Sequence, residues 1–271
     1  MKLTPASPDG PLGVVVTDVD LRAVTPEQTE ELKDVLAEHG VAVFPGQDVD
    51  DAAFLAFLRG FGDLAFTTGE TPVDGFPDLN VISNVGRTTP PRSSFHVDSS
   101  YLSVPPAYTA LRTVQVPEVG GETQFTDQYA ALESLDPVLR ERLEARTITH
   151  IVTGLDLGED DETEARHPVV RPHPRTGRPA LYLTTPARCA EISGLDAEET
   201  TATVQALFEH STVEENQLRH AWSPGDVVMW DNACVLHRAD HSGVVGDRVM
   251  HRGMVAGSTT QESSTGSGWS A

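Results

Sequence analysis

From about residue 80 onward the chain reads as short runs of β-forming residues set between turns, and this limits the fold more than any other feature. The runs are "NVISNV", "AYTALRTVQV", "GGETQFTD", "PALYLTT", "DVVMWDN" and "RVMHRGMV". One helical stretch, "YAALESLDPVLRERLEAR", lies among them, and "DAEETTATVQALFEHST" is another. Ahead of them, "LGVVVTDVDLRAV" predicts a strand and a turn, and "VAVFPG" a short buried strand. "TPEQTEELKDVLAEHG" carries helix signals at both ends: Thr25 as N-cap, Pro26 in the first turn, Glu27 and Glu30 near the positive end, and Gly40 as a stop. "DVDDAAFLAFLRGFGDL" spaces Phe54, Phe57, Leu58 and Phe61 three to four apart, as an amphipathic helix requires. The acidic "DLGEDDETEARH" has no periodicity and reads as a mobile loop. Irregularly spaced strands with helices mostly at the start predict a mainly β fold with flanking helices, a sandwich or jelly roll. No internal repeat is present. Residues 1–256 are expected to form a single domain, and the Ser/Thr/Gly-rich tail 257–271 to be disordered.

A formal charge of −22 on 271 residues argues against a nucleic-acid backbone or an anionic membrane as partner. It does not fix the sign of a small ligand, because a cationic pocket can sit inside an acidic protein. Two cysteines, Cys189 and Cys234, are too few for a disulfide framework. The opening "MKLTPASPDG" lacks the apolar stretch of a signal peptide, and no run approaches a membrane span. A cytoplasmic protein is expected.

"SFHVDSSY" places His96 and Asp98 two positions apart in a strand-like run. Side chains at i and i+2 leave the same face of a strand, so the imidazole and the carboxylate point together and Val97 turns away. Two ligands do not complete a metal site. Late in the chain "CVLHRAD" supplies His237 and "RVMHR" supplies Arg248, which two strands joined by a loop would bring close on adjacent strands.

His96-Val97-Asp98, His237 and Arg248, in this order, resemble the iron(II)- and 2-oxoglutarate-dependent dioxygenases of the TauD/TfdA family. "PPAYTALRTVQVPEVGGETQFTD", "RHPVVRPHPRTGRPALYL" and "WSPGDVVMWDNACVLHRAD" carry the resemblance through nearly the whole chain. It implies a double-stranded β-helix, that is, a cupin-like jelly roll, in which His96, Asp98 and His237 hold Fe(II) on one face. 2-Oxoglutarate and O2 then take the opposite positions. Arg248 would hold the far carboxylate of the co-substrate with its planar fork, and Thr123 of "GGET" would add a hydroxyl hydrogen bond. Gly120-Gly121 reads as a tight turn before Thr123, and Cys234 as a small packing residue.

The prime substrate implied is a small, anionic molecule. Arg252 shares a strand face with Arg248 and stands where the taurine branch binds its substrate's head group; the alternative is a surface ion pair. Arg92, Thr67, Asn84, Phe95 and Tyr101 are expected to shape the rest of the pocket. Trp230, Asp231 and Asn232 are expected to support His237 from behind, unless they are simply a strand end and a turn. Thr67 and Arg92 depart from the taurine-specific pattern, which has a histidine and an amide there. The substrate therefore stays open among sulfonates, sulfate esters, carboxylates and amino-acid-derived intermediates. A homo-oligomer, dimer or tetramer, is expected. The rival readings are a zinc hydrolase, which has no use for Thr123 and Arg248, and a non-catalytic binding protein. A halogenating relative would lack the carboxylate that Asp98 supplies.

Overall fold

A computed structural model of the chain describes residues 1–7, 10, 12–86, 93–155 and 157–258. Its first elements follow from local sequence. The Thr25 side chain accepts from the Gln28 amide while the Gln28 side chain reaches back to Thr25, and this capping box starts the helix Pro26–His39. Gly40, at φ 72°, ends it. Asp50 caps the helix Asp51–Phe61, whose Phe54, Phe57, Leu58 and Phe61 are all buried.

Among the described residues the largest element is a nine-stranded sheet. Its centre is built from Val41–Phe44, Val227–Asp231, Tyr108–Gln115 and Val249–Val255, neighbours in that order. Alternate residues of these strands divide between two cores, as the pleat demands. Ala42, Phe44, Ala110, Val227 and Met229 pack with Leu32, Leu36, Phe54 and Leu58 of the two helices. Val41, Val43, Leu111, Val228, Trp230 and Met250 face the other way and join Phe125, Leu218 and Val235. Those last three come from a smaller sheet made of Gln217–His220, Thr123–Asp127 and Val235–Ala239. The layers thus run helices, large sheet, small sheet. A third apolar cluster, with Leu132, Val204, Leu207, Ile148 and Leu183, covers the outer side of the small sheet through Leu236.

The fold is mainly β with few helices, as the strand pattern predicts, and two local expectations change. The helical stretch 129–146 is two helices, Gln128–Glu133 and Pro137–Leu143. Pro137 cannot continue the first, and Asp136 caps the second by accepting from Val138 and Leu139. The acidic segment ends in a strand, Glu164–Pro168, paired with Thr147–Ile151, with Ala165 and His167 buried between exposed neighbours. Of the tail expected to be disordered, residues 259–271 lie outside the described residues. No described helix is long and apolar enough to cross a membrane.

The contact between helix layer and large sheet is tight at Gly253, where a Cβ would lie 2.2 Å from Leu58 Cδ1 and 3.0 Å from Leu79 Cδ2. Overpacking of this kind costs about 1–3 kcal/mol. Gly253→Ala is expected to lose that much in urea unfolding; a variant as stable as the parent would mean that the helix layer can shift.

Candidate metal centre and co-substrate pocket

His96 and His237 meet by backbone pairing. Each amide donates to the other's carbonyl at 3.0 Å, forming an isolated antiparallel bridge that extends the small sheet. Residues so paired point to the same face, and the two rings lie 4.4 Å apart between centroids. Asp98 follows two residues later, ahead of Ser99 in the left-handed region at φ 44°. Its Oδ1 lies 3.6 Å from His96 Nε2 and its Oδ2 3.6 Å from His237 Nε2. The three potential ligand atoms all fall within 4.8 Å of one another.

Protonation states favour a cation. His96 Nδ1 lies 2.9 Å from the Ser94 carbonyl and donates to it, which leaves Nε2 as the lone-pair nitrogen facing the triad. Burial pushes His237 down to about 3 against the pull of Asp98, so its imidazole is neutral at pH 7. Burial pushes the Asp98 carboxyl up, but His237, Arg252 and His96 outweigh it and hold the acid well below the usual range. Because His237 is itself neutral, the permanent charge of Arg252 is the partner to credit, with its Nη1 at 3.3 Å from Asp98 Oδ1. Two lone-pair nitrogens and a carboxylate suit a divalent metal.

Asp98 has a further anchor that sequence reasoning missed. Thr109 donates its hydroxyl to Asp98 Oδ2 at 2.8 Å, and Asn232 Nδ2 donates to Thr109 at 2.9 Å. The only hint in sequence was a threonine inside an apolar strand. Asn232 thus acts on Asp98, not behind His237. Trp230 is the residue that does back His237, with ring centroids 4.5 Å apart. Asp231 points elsewhere, to His173 Nε2 at 3.0 Å and the Ala233 amide at 2.8 Å, because neighbours on a strand face opposite ways. His173, Asp231 and Cys234 also cluster within ligand range. There, however, His173 Nδ1 accepts the Arg175 amide, so its Nε2 carries a proton for Asp231, and burial raises the Cys234 thiol well above the thiolate range. That trio is a satisfied structural network. A cavity of about 780 Å³ borders it, lined by Tyr108, His173, Asp231 and Asn232, and includes none of the triad.

Arg248 directly precedes the large-sheet strand Val249–Val255, while His237 lies in the small sheet, so the two are not on adjacent strands. Arg248, fully buried, reaches across to Thr123 at the start of the strand beside His237: Nε donates to the Gly121 carbonyl at 2.8 Å and Nη2 to Thr123 Oγ1 at 3.2 Å. Gly121, at φ 77°, permits this approach, since a Cβ there would sit 3.0 Å from Arg248 Cδ. Burial pushes the guanidinium down to about 10, still charged at pH 7, yet no described carboxylate pairs with it and Nη1 has no hydrogen-bond partner. Thr123 Oγ1 accepts from Arg248 and, at 3.0 Å, from Trp222 Nε1, so the threonine proton is left to donate outward. Trp222 opens "WSPGD" and was not singled out in sequence. A cation and a hydroxyl donor fixed in the dry interior fit a carboxylate, the group 2-oxoglutarate would present.

The expected pocket residues divide. Arg252 and Thr67 are buried near Asp98 and Ser99 respectively, with Thr67 Oγ1 at 3.2 Å from Ser99 Oγ, and Tyr101 is buried close by. Phe95 does not line the pocket. One position from His96, it faces the opposite way and packs with Val97 in the outer cluster, under the Arg238 guanidinium. Asn84 spends its amide on backbone, accepting from Arg248 N at 2.7 Å and donating to the Gly246 carbonyl at 3.1 Å, so it clamps Arg248 in place. Arg92 lies outside the described residues.

Comparison with known proteins agrees with this architecture. Residues 2–254 match the family described as Taurine catabolism dioxygenase TauD, TfdA family. The chain is 32% identical over 265 residues to an alpha-ketoglutarate-dependent 2,4-dichlorophenoxyacetate dioxygenase of Cupriavidus pinatubonensis, covering 88% of this chain and 92% of the relative. It is 30% identical over 270 residues to pentalenolactone F synthase of Streptomyces arenae, covering 88% and 89%. Among solved structures, a taurine dioxygenase from Burkholderia xenovorans superposes with a TM-score of 0.82 at 29% identity, over 95% of this chain and 91% of that one. AAD-2 in complex with Mn(II) and N-oxalylglycine gives 0.81 at 27% identity, over 95% and 98%. The chain belongs to the TauD/TfdA family of alpha-ketoglutarate-dependent dioxygenases, oxidoreductases that use Fe(II), 2-oxoglutarate and O2.

Proposed function

We propose that the protein hydroxylates a small, acid-bearing organic substrate inside a double-stranded β-helix, with His96, Asp98 and His237 as iron ligands and Arg248 and Thr123 as the co-substrate clamp. The observation that carries the reading is the buried Arg248 guanidinium, which has a free Nη1 and no carboxylate among the described residues. A charge kept dry and unpaired is unfavourable unless a ligand anion completes it. A zinc hydrolase would give it no purpose. Bound between triad and clamp, iron with 2-oxoglutarate and O2 would supply the oxidant, one oxygen atom entering succinate as carbon dioxide leaves and the other entering a C–H bond of the substrate.

The chain's own residues would do the rest. Thr109 and Asn232 hold Asp98 in a fixed rotamer, and Trp230 holds the His237 ring. Arg252 would orient the substrate: its Nη1 is spent on Asp98, while Nε and Nη2, the edge that grips an acid with two parallel bonds, have no hydrogen-bond partner among the described residues. The two free thiols, Cys189 and Cys234, agree with a cytoplasmic setting, which is part of the proposal.

Succinate formation that requires Fe(II), 2-oxoglutarate and oxygen together, and rises with the true substrate, is the expected result. Arg252→Gln is expected to raise the substrate KM by about 10- to 100-fold, the worth of a hydrogen bond to a charged group. A substrate that proves uncharged or purely cationic would remove the role of Arg252 and leave the iron chemistry standing.

A further inference from the structure

Two side chains beside Arg252 take no part in the triad or the co-substrate clamp. Asn80 stands directly opposite Arg252 on the neighbouring antiparallel strand, so the two side chains leave the same face of the sheet. Leu79, one position earlier, belongs to the core on the helix side, which sets Asn80 on the interior side. Asn80 is 0% exposed, and neither its amide nitrogen nor its amide oxygen has a hydrogen-bond partner among the described residues. A buried carboxamide with both ends unmet is unfavourable, and a ligand that meets both ends accounts for it.

Glu70 is the second. The short hairpin that pairs Pro72 with Asn80 brings residue 70 alongside, and Glu70 Oε1 lies 3.5 Å from Arg252 Nη2. Its side chain is 34% exposed, and the contact is an ion pair without hydrogen-bond geometry. Apart from Asp98, Glu70 is the one described carboxylate within ion-pair distance of Arg252.

Charge balance then restricts the substrate. With Asp98 committed to the metal, the described residues at the substrate end supply one cation, Arg252, and one anion, Glu70. A simple monoanion on the free edge of Arg252 would sit against the Glu70 carboxylate, and repulsion at this range in a partly dry pocket is substantial. A molecule carrying an acid and an ammonium satisfies both charges. Asn80 can then accept from the ammonium through Oδ1 and donate to the acid through Nδ2.

We propose that Glu70 and Asn80 are specificity-determining residues that, with Arg252, select an amino acid in its zwitterionic form as prime substrate. The proposal rests on the reading of Arg252 as the partner of the substrate acid.

The test uses full-length protein with Fe(II) and 2-oxoglutarate under anaerobic conditions. The charge-transfer absorption band of wild type is read first. Its absence overturns the co-substrate reading and this one with it. With the band present, the proteinogenic L-amino acids, β-alanine and taurine are titrated calorimetrically, each against the same acid lacking its amine, and succinate release is measured on admitting oxygen. At least one amino acid is expected to bind about 10- to 100-fold more tightly than its amine-free counterpart and to stimulate succinate release. Glu70→Gln, a change on an accessible side chain, is expected to abolish that preference while the amine-free acid binds at least as tightly as to wild type. Asn80→Leu is expected to narrow the preference without reversing it. Equal binding of the paired acids, a preference that survives Glu70→Gln, or no binding by any amino acid overturns the proposal alone.

Discussion

Arg248→Ala is expected to weaken 2-oxoglutarate binding by on the order of 2–5 kcal/mol, roughly 30- to 5,000-fold in dissociation constant. The size follows from where the charge sits. Arg248 is fully buried, its Nε and Nη2 are fixed by the Gly121 carbonyl and Thr123, and Nη1 is free. The incoming carboxylate therefore meets a pre-oriented fork and pays little to order it. Thr123→Val, which removes one hydroxyl donor, should cost only about 1 kcal/mol. Titration of the charge-transfer band gives both numbers. Thermal stability offers a check independent of turnover: at a hundredfold excess over its dissociation constant the co-substrate should stabilise wild type by about 2.7 kcal/mol, and Arg248→Ala should lose about two-thirds of that gain or more. An Arg248→Ala protein with unchanged affinity would mean that another cation holds the carboxylate.

The second large effect concerns the metal. His237→Ala and Asp98→Ala are each expected to abolish stoichiometric Fe(II) binding, because removing one of three ligands leaves a pair that cannot face-cap the ion. Thr109→Val is expected to keep the site but weaken it, by the roughly 10- to 100-fold typical of losing a partner behind a ligand. That gradation separates a true ligand set from a polar cluster. Asp98 lies 3.6 Å from both His96 and His237, a spacing that a purely structural polar cluster would also show. A structural cluster would therefore show its losses in unfolding stability and leave iron uptake alone. Iron retained after gel filtration by His237→Ala at the wild-type level would sink the assignment.

The family resemblance named the distant members His237, Arg248 and Thr123, but what residue patterns alone could supply was local. Thr25 and Gln28 form their capping box within a single helical turn, so the helix Pro26–His39 was legible from its first residues. The strand at "VVMWD" was legible too, and in the structure its pleat divides Val227 and Met229 from Val228 and Trp230 between two cores. The same rule places His96 and Asp98 on one face, and applied one residue back it would have removed Phe95 from the pocket. These patterns rest on backbone periods of 2.0 and 3.6 residues and on caps, all fixed by neighbours in the chain.

The tertiary structure decided whatever depends on which strand lies beside or across from which. His96 meets His237 because their backbones pair, and Arg248 reaches Thr123 because two sheets face each other across a dry interior. Thr109 and Trp222 enter the site, and Asp231 leaves it for His173, for the same reason. Asn80 opposite Arg252 is a matter of register, and a slip of one residue would turn its amide into the helix layer. The sequence by itself determined which residues share a face; strand pairing and sheet packing, which join distant segments, determined which faces share a site.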